Sequence, residues 1–124
     1  MPTKRILIID DEETIQTVVQ FGIKIAVGWE VLTAGSGAQG IQTAQTEKPD
    51  VILLDFMMPD MDGIATFKEL QSHADTEQIP VILLTAKTQT TEKRQFNDLG
   101  VSGVITKPFN SLHLPEQIAR ILHW

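Results

Sequence analysis

A chain of 124 residues, 42% hydrophobic and 21% charged, has the length of one domain and enough apolar content to bury a core, which excludes a disordered tail and leaves little room for a second domain. Its net charge of −6 argues against general binding to nucleic acid or to anionic membrane, since both reward basic surfaces. Cysteine is absent, which excludes disulfides and thiolate metal sites.

The first apolar run is Arg5-Ile6-Leu7-Ile8-Ile9, closed by Asp10 and Asp11. It has the pattern of a strand buried on both faces, and it meets charge too soon for a signal peptide or a membrane span. A cytoplasmic protein is expected. From Glu12 the apolar positions Ile15, Val18, Val19, Gly22, Ile23 and Ala26 recur at helical spacing, with Asp11 or Glu12 favouring the helix start and Gly28 ending it. Trp29 to Ala34 reads as a second strand, Gly35 to Gly37 as a turn, and Ala38 to Glu47 as a helix with Ile41 and Ala44 inward and Pro49 behind it.

Val51 to Asp55 is the third strand, an apolar run that carries one acid at its tip. Pro59 to Gly63 turn the chain, and Ile64, Phe67 and Leu70 mark a helix that reaches about His73. Ile79 to Leu84 form a fourth strand ending at Thr85, with Pro80 tolerable only near its beginning. Lys87 to Leu99 suit a fourth helix anchored by little more than Phe96 and Leu99, with Gly100 as its cap. Gly103 to Thr106 form a short fifth strand ending at Lys107-Pro108, and Ile118, Ala119, Ile121 and Leu122 mark a last helix with Pro115 in its first turn.

Five apolar strands alternating with helices predict an α/β fold: a doubly wound, five-stranded parallel sheet with helices on both faces. The crevice of such a sheet lies at the carboxyl ends of its strands. Asp10 and Asp11 stand there after the first strand, Asp55 after the third, Thr85 after the fourth and Lys107 after the fifth. Three neighbouring carboxylates repel one another, and an oxygen-loving divalent cation neutralises them; Mg²⁺ fits best, because it takes one or two carboxylates and shares its shell with phosphoryl oxygens. Lys107 adds positive charge for a phosphoryl group, and the Thr85 hydroxyl can donate to it. Asp55, alone on the central strand, is the expected nucleophile that forms an aspartyl phosphate, and Asp10 with Asp11 is the expected metal pair.

The segments I-L-I-I-D-D-E, L-L-D-F-M-M-P-D-M-D-G, L-L-T-A and G-V-I-T-K-P-F, in this order and spacing, resemble the receiver domains of two-component response regulators over essentially the whole chain. In length the chain resembles the stand-alone chemotaxis-type regulators. The resemblance implies a flavodoxin-like strand order 2-1-3-4-5 in one receiver domain spanning residues 1–124. It implies phosphotransfer to Asp55 from a histidine kinase or histidine phosphotransfer protein, with no turnover of external substrates. It also implies Mg²⁺ held by Asp10, Asp11 and Asp55 with the Met57 backbone carbonyl, a phosphoryl group gripped by Thr85 and Lys107, flanking roles for Met57 and Lys87, and a cis peptide before Pro108. Output is expected by contact with an effector, by relay, or through a homodimer, on the face of the fourth helix, fifth strand and fifth helix. One departure concerns the switch: the chemotaxis type carries an aromatic residue three positions before the lysine, and here that position is Val104.

The rival readings are a pseudo-receiver that binds partners without phosphorylation and a Mg²⁺-dependent hydrolase. Gly35 to Gly40 match G-x-G-x-x-G and are read as a turn and helix start; Asp60 to Gly63 are read as loop and helix cap; His73, His113 and His123 lack ligand spacing.

Overall fold

Five parallel strands, β1 (Arg5–Ile9), β2 (Glu30–Ala34), β3 (Val51–Asp55), β4 (Val81–Ala86) and β5 (Gly103–Lys107), form one sheet in the order β2-β1-β3-β4-β5. The structure, a computed structural model, describes residues 3–58, 62–86 and 99–124. Helices α1 (Glu13–Val27), α2 (Gly37–Glu47), α3 (Gly63–Ser72) and a C-terminal helix (Leu114–Leu122) cover the sheet, the last preceded by a 3-10 turn at Ser111–His113. Most of the predicted fourth helix, Lys87 to Leu99, lies outside the described residues. Among the described residues no helix is long and apolar enough to cross a membrane.

Alternation along the strands sorts the core into two layers. Ile6, Ile8, Leu53, Ile82, Leu84 and Ile105 meet Val19 and Ile23 of α1 and Leu114 and Ile118 of the C-terminal helix. Leu7, Ile9, Ile52, Leu54 and Leu83 face the other way, against Ala44 of α2 and Phe67 and Leu70 of α3. Both faces are sealed, which is why β3 is buried along its whole length and reads as an unbroken apolar run. Each fully buried large aliphatic contributes roughly 1.5–3 kcal/mol.

Several predicted boundaries move. In α1 the inward stripe is narrower than the spacing implies: Val18 is 42% exposed and Ala26 is exposed, while Gly22 faces the 3-10 turn so closely that a Cβ there would run into Ser111. Strand β4 begins at Val81, after Pro80, and continues through Ala86; β5 continues through Lys107, because Thr85 pairs with Thr106 and Ala86 with Lys107. Thr85 and Lys107 therefore belong to paired strands of the sheet. The glycine turn is a helix start, with Ser36 Oγ accepting from the Gln39 amide, and Asp62 caps α3 by accepting from the Ala65 amide at 2.8 Å. The peptide before Pro108 is cis, and Gly28 and Gly100 adopt positive φ.

At the amino end of the sheet Trp29 and Trp124 meet edge to face, with ring centroids 5.6 Å apart, and the Lys4 ammonium lies over Trp124.

Gly63 fixes how α3 leaves the loop after β3. Its amide donates to the Phe56 carbonyl at 3.0 Å, and a Cβ at this position would stand 2.8 Å from both the Asp55 carbonyl oxygen and the Phe56 Cα. Backbone cannot yield as a side-chain tip can. Gly63→Ala is expected to lower stability by about 1–3 kcal/mol, measured by urea unfolding, whereas an unchanged midpoint would show that the loop absorbs the methyl group.

Candidate functional site

Strands β1, β3, β4 and β5 each bring a predicted site residue to the carboxyl edge. Ile9 pairs with Leu54 and Asp55 with Leu84, so Asp10 follows β1 beside Asp55, and Lys107 lies two residues beyond Ile105, the register partner of Leu84. Alternation puts Asp10, Asp55 and Lys107 on the face covered by α1 and the C-terminal helix. Lys107 Nζ bridges the two acids, 3.0 Å from Asp10 Oδ2 and 3.2 Å from Asp55 Oδ1. Asp10 is wholly buried and Asp55 is 5% exposed.

Asp11 completes the cluster from the exposed side: one carboxylate oxygen from each of Asp10, Asp11 and Asp55 lies within 4.8 Å of the others. Three carboxylates against one ammonium leave two formal negative charges in a partly dry crevice. Burial pushes the Asp55 carboxyl up to about 6, with Asp10 adding to the effect and Lys107 opposing it. Burial also works against the Lys107 charge, but the hydrogen bond and charge of Asp10, reinforced by Asp55, outweigh it and hold the ammonium above its ordinary range. An all-oxygen donor set with uncompensated charge fits a hard divalent cation such as Mg²⁺.

Met57 and Thr85, also predicted for the site, differ in their surroundings. The Met57 amide donates to Asp55 Oδ1 at 3.4 Å, while its side chain is 63% exposed. Thr85 is one residue past Leu84, so alternation turns it toward the opposite face from Asp55; it is 1% exposed, and its Oγ1 has no hydrogen-bond partner among the described residues. A buried hydroxyl without a partner is costly. Val104 pairs with Leu83 and packs, partly buried, in the layer on Thr85's side of the sheet. Lys87 lies outside the described residues, as do Pro59, Asp60 and Met61. Of the histidines, His73 pairs with Glu69 and the other two are exposed, away from the cluster.

Two details of Asp10 escaped the sequence. Its Oδ1 accepts from the Glu12 amide at 2.9 Å, so Asp10 supports the turn into α1, whose N-cap residue Glu12 makes no side-chain cap of its own. Its carbonyl accepts from Gln16 Nε2 at 2.7 Å. A polar residue at the inner margin of the Ile15–Val19–Ile23 stripe was the available signal.

A doubly wound parallel sheet with three clustered acids and a lysine at its carboxyl edge defines an α/β domain whose site lies at the ends of its strands. The response regulator receiver domain model matches residues 6–119, and the chain belongs to that family, the receivers of two-component signalling. It is 38% identical over 119 residues to the alkaline phosphatase synthesis transcriptional regulatory protein PhoP of Bacillus subtilis, covering 96% of this chain and 48% of that protein. It is 37% identical over 122 residues to the phosphate regulon transcriptional regulatory protein PhoB of Pseudomonas aeruginosa, covering 98% and 53%. The chain thus spans about half the length of these curated relatives. Among solved structures it is similar to the chemotaxis protein CheY4 of Vibrio cholerae, with a TM-score of 0.87 and 30% identity over 97% of this chain and 99% of that one. The flavodoxin-like order expected from the resemblance is the order observed.

Burial of Asp55 ties its protonation to the stability of the fold. In the unfolded chain the carboxyl titrates near 3.8, and in the fold at about 6. Between those values the folded state holds the extra proton, so stability falls as pH rises through this window, and the full cost is present above it. Asp55→Asn is therefore expected to stabilise the metal-free protein at pH 7.5 by about 1 kcal/mol after solvent screening. Thermal unfolding should show that gain shrinking toward pH 4, and a gain independent of pH would refute the assignment.

Proposed function

We propose that this receiver accepts a phosphoryl group on Asp55 from the phosphohistidine of a histidine kinase or histidine phosphotransfer protein, and that the modification switches a protein-binding surface. The observation that carries the reading is the carboxyl-edge cluster itself: three acid oxygens within 4.8 Å, two of their residues bridged by Lys107. Mg²⁺ would be held by Asp10, Asp11 and Asp55 together with the Met57 carbonyl. Bound there, it supplies positive charge that offsets the acids and the phosphoryl oxygens.

In the transfer an Asp55 carboxylate oxygen attacks phosphorus, the bond from phosphorus to the donor's imidazole nitrogen breaks, and an acyl phosphate forms. The near-complete burial of Asp55 limits competing water. Lys107 Nζ, now shared by Asp10 and Asp55, is the charged donor within reach of the incoming oxygens, and its β5 backbone keeps it there. Thr85 Oγ1, buried without a partner among the described residues, gains one when it donates to a phosphoryl oxygen. That gain is a contact available only in the phosphorylated state, and such a differential contact is what shifts a two-state equilibrium.

The output surface in this reading is the face made by the segment after Thr85, β5 and the C-terminal helix, offered to an effector or a second copy. Val104 takes the place of the aromatic residue of chemotaxis-type switching, so the message passes through Thr85 and its strand without a ring moving in and out. The setting is the cytoplasm, where histidine kinases present their phosphodonor, and the domain turns over no external substrate.

Incubation with Mg²⁺ and acetyl phosphate should add the mass of one phosphoryl group to the wild-type protein and none to Asp55→Asn. Lys107→Met should slow the gain by about 10²-fold, the effect typical of removing a preorganised donor. No mass gain in the wild type would instead favour a phosphorylation-independent interaction module.

A further inference from the structure

We propose that Gln16 is a positioning residue for the metal site, acting through the main chain of Asp10; the inference rests on the reading of Asp10 and Asp11 as metal ligands. Gln16 is half-buried in the first turn of α1. Its Nε2 donates to the Asp10 carbonyl at 2.7 Å and approaches the Ala34 carbonyl at 3.5 Å. The Asp10 amide donates to that same Ala34 carbonyl at 3.0 Å, and Asp10 Oδ1 accepts from the Glu12 amide at 2.9 Å. The amide, carbonyl and one carboxylate oxygen of Asp10 are thus held by β2, by α1 and by the turn between β1 and α1.

Oδ2 meets Lys107 Nζ at 3.0 Å, on the side shared with Asp55. The Asp10 carbonyl also belongs to the peptide unit that carries the Asp11 amide. One hydrogen bond from Gln16 therefore orients the plane from which both acids depart, the buried one and the exposed one. Groups that hold metal ligands by a hydrogen bond tune affinity without touching the ion.

Gln20, one turn later, supplies the comparison. Its Nε2 donates to the Val31 carbonyl at 3.2 Å, which fastens α1 to the same edge strand yet touches neither acid. Attachment of α1 needs neither glutamine alone, because Val19 and Ile23 are fully buried against the sheet.

Gln16→Met keeps length and helix preference and removes the donor; Gln20→Met does the same at the comparison site. Calorimetric titration with Mg²⁺ alone, without phosphodonor, should show affinity about tenfold weaker in Gln16→Met and unchanged in Gln20→Met. In the metal-free proteins the Glu12 amide should exchange with solvent faster in Gln16→Met only. Wild-type affinity in Gln16→Met, or equal losses in both variants, would overturn the proposal and leave Gln16 a helix fastener. If the wild-type protein takes up no Mg²⁺, the metal reading of the acids fails, and Glu12 exchange still decides whether Gln16 positions Asp10.

Discussion

Two buried carboxylates at the end of an apolar sheet are tolerable because one ammonium reaches both. Neighbouring strands lie about 4.8 Å apart, so β5 stands about 10 Å from β3 with β4 between them, and β1 is a further strand away. Lys107 spans that distance to contact Asp55 and Asp10. A long, flexible stem is what the task requires, and a compact charge at its tip can be shared between two acceptors or handed to a third. Strand order matters for the same reason: only with β1 and β3 adjacent do the two acids stand side by side.

The pleat adds a second condition. Asp10, Asp55 and Lys107 meet because each occupies the same phase of alternation as Ile8, Leu53 and Ile105 beneath it. A slip of one residue in any of these strands would turn its functional group to the other face and expel its apolar neighbours from the core. The core and the site are therefore specified by one pattern. Thr85 stands in the opposite phase, above the layer with Leu83 and Val104. Asp55 and the Thr85 hydroxyl thus lead into different helical layers, α1 and the C-terminal helix on one side, α2 and α3 on the other.

Much of this could be read from residues alone because parallel strands are written as unbroken apolar runs: Arg5–Ile9 and Val51–Asp55 have the bounds the sequence predicts. The acid tips of those runs disclose the crevice, and general topology puts them together. What sequence could not disclose are contacts made by ordinary residues through the backbone. Gln16 and Gln20 look alike on a helix, yet one meets the carbonyl of an active-edge acid and the other an edge-strand carbonyl. Val18 and Ala26 fit the helical stripe but stay exposed, while Gly22 between them packs against the 3-10 turn. The unpartnered Thr85 hydroxyl is likewise a property of the packed structure.

The two tryptophans carry an optical consequence. Trp29 lies just before β2, and Trp124 packs on it beside Lys4, just before β1; both indoles therefore sit at the amino end of strands five residues long, about 16 Å from the acids. Light emitted there cannot be quenched by contact with anything bound at Asp55. Any change in intrinsic fluorescence on loading the acids would be a remote signal, carried along the strands or the C-terminal helix, so the molecule holds its own reporter of long-range coupling at the end farthest from its chemistry.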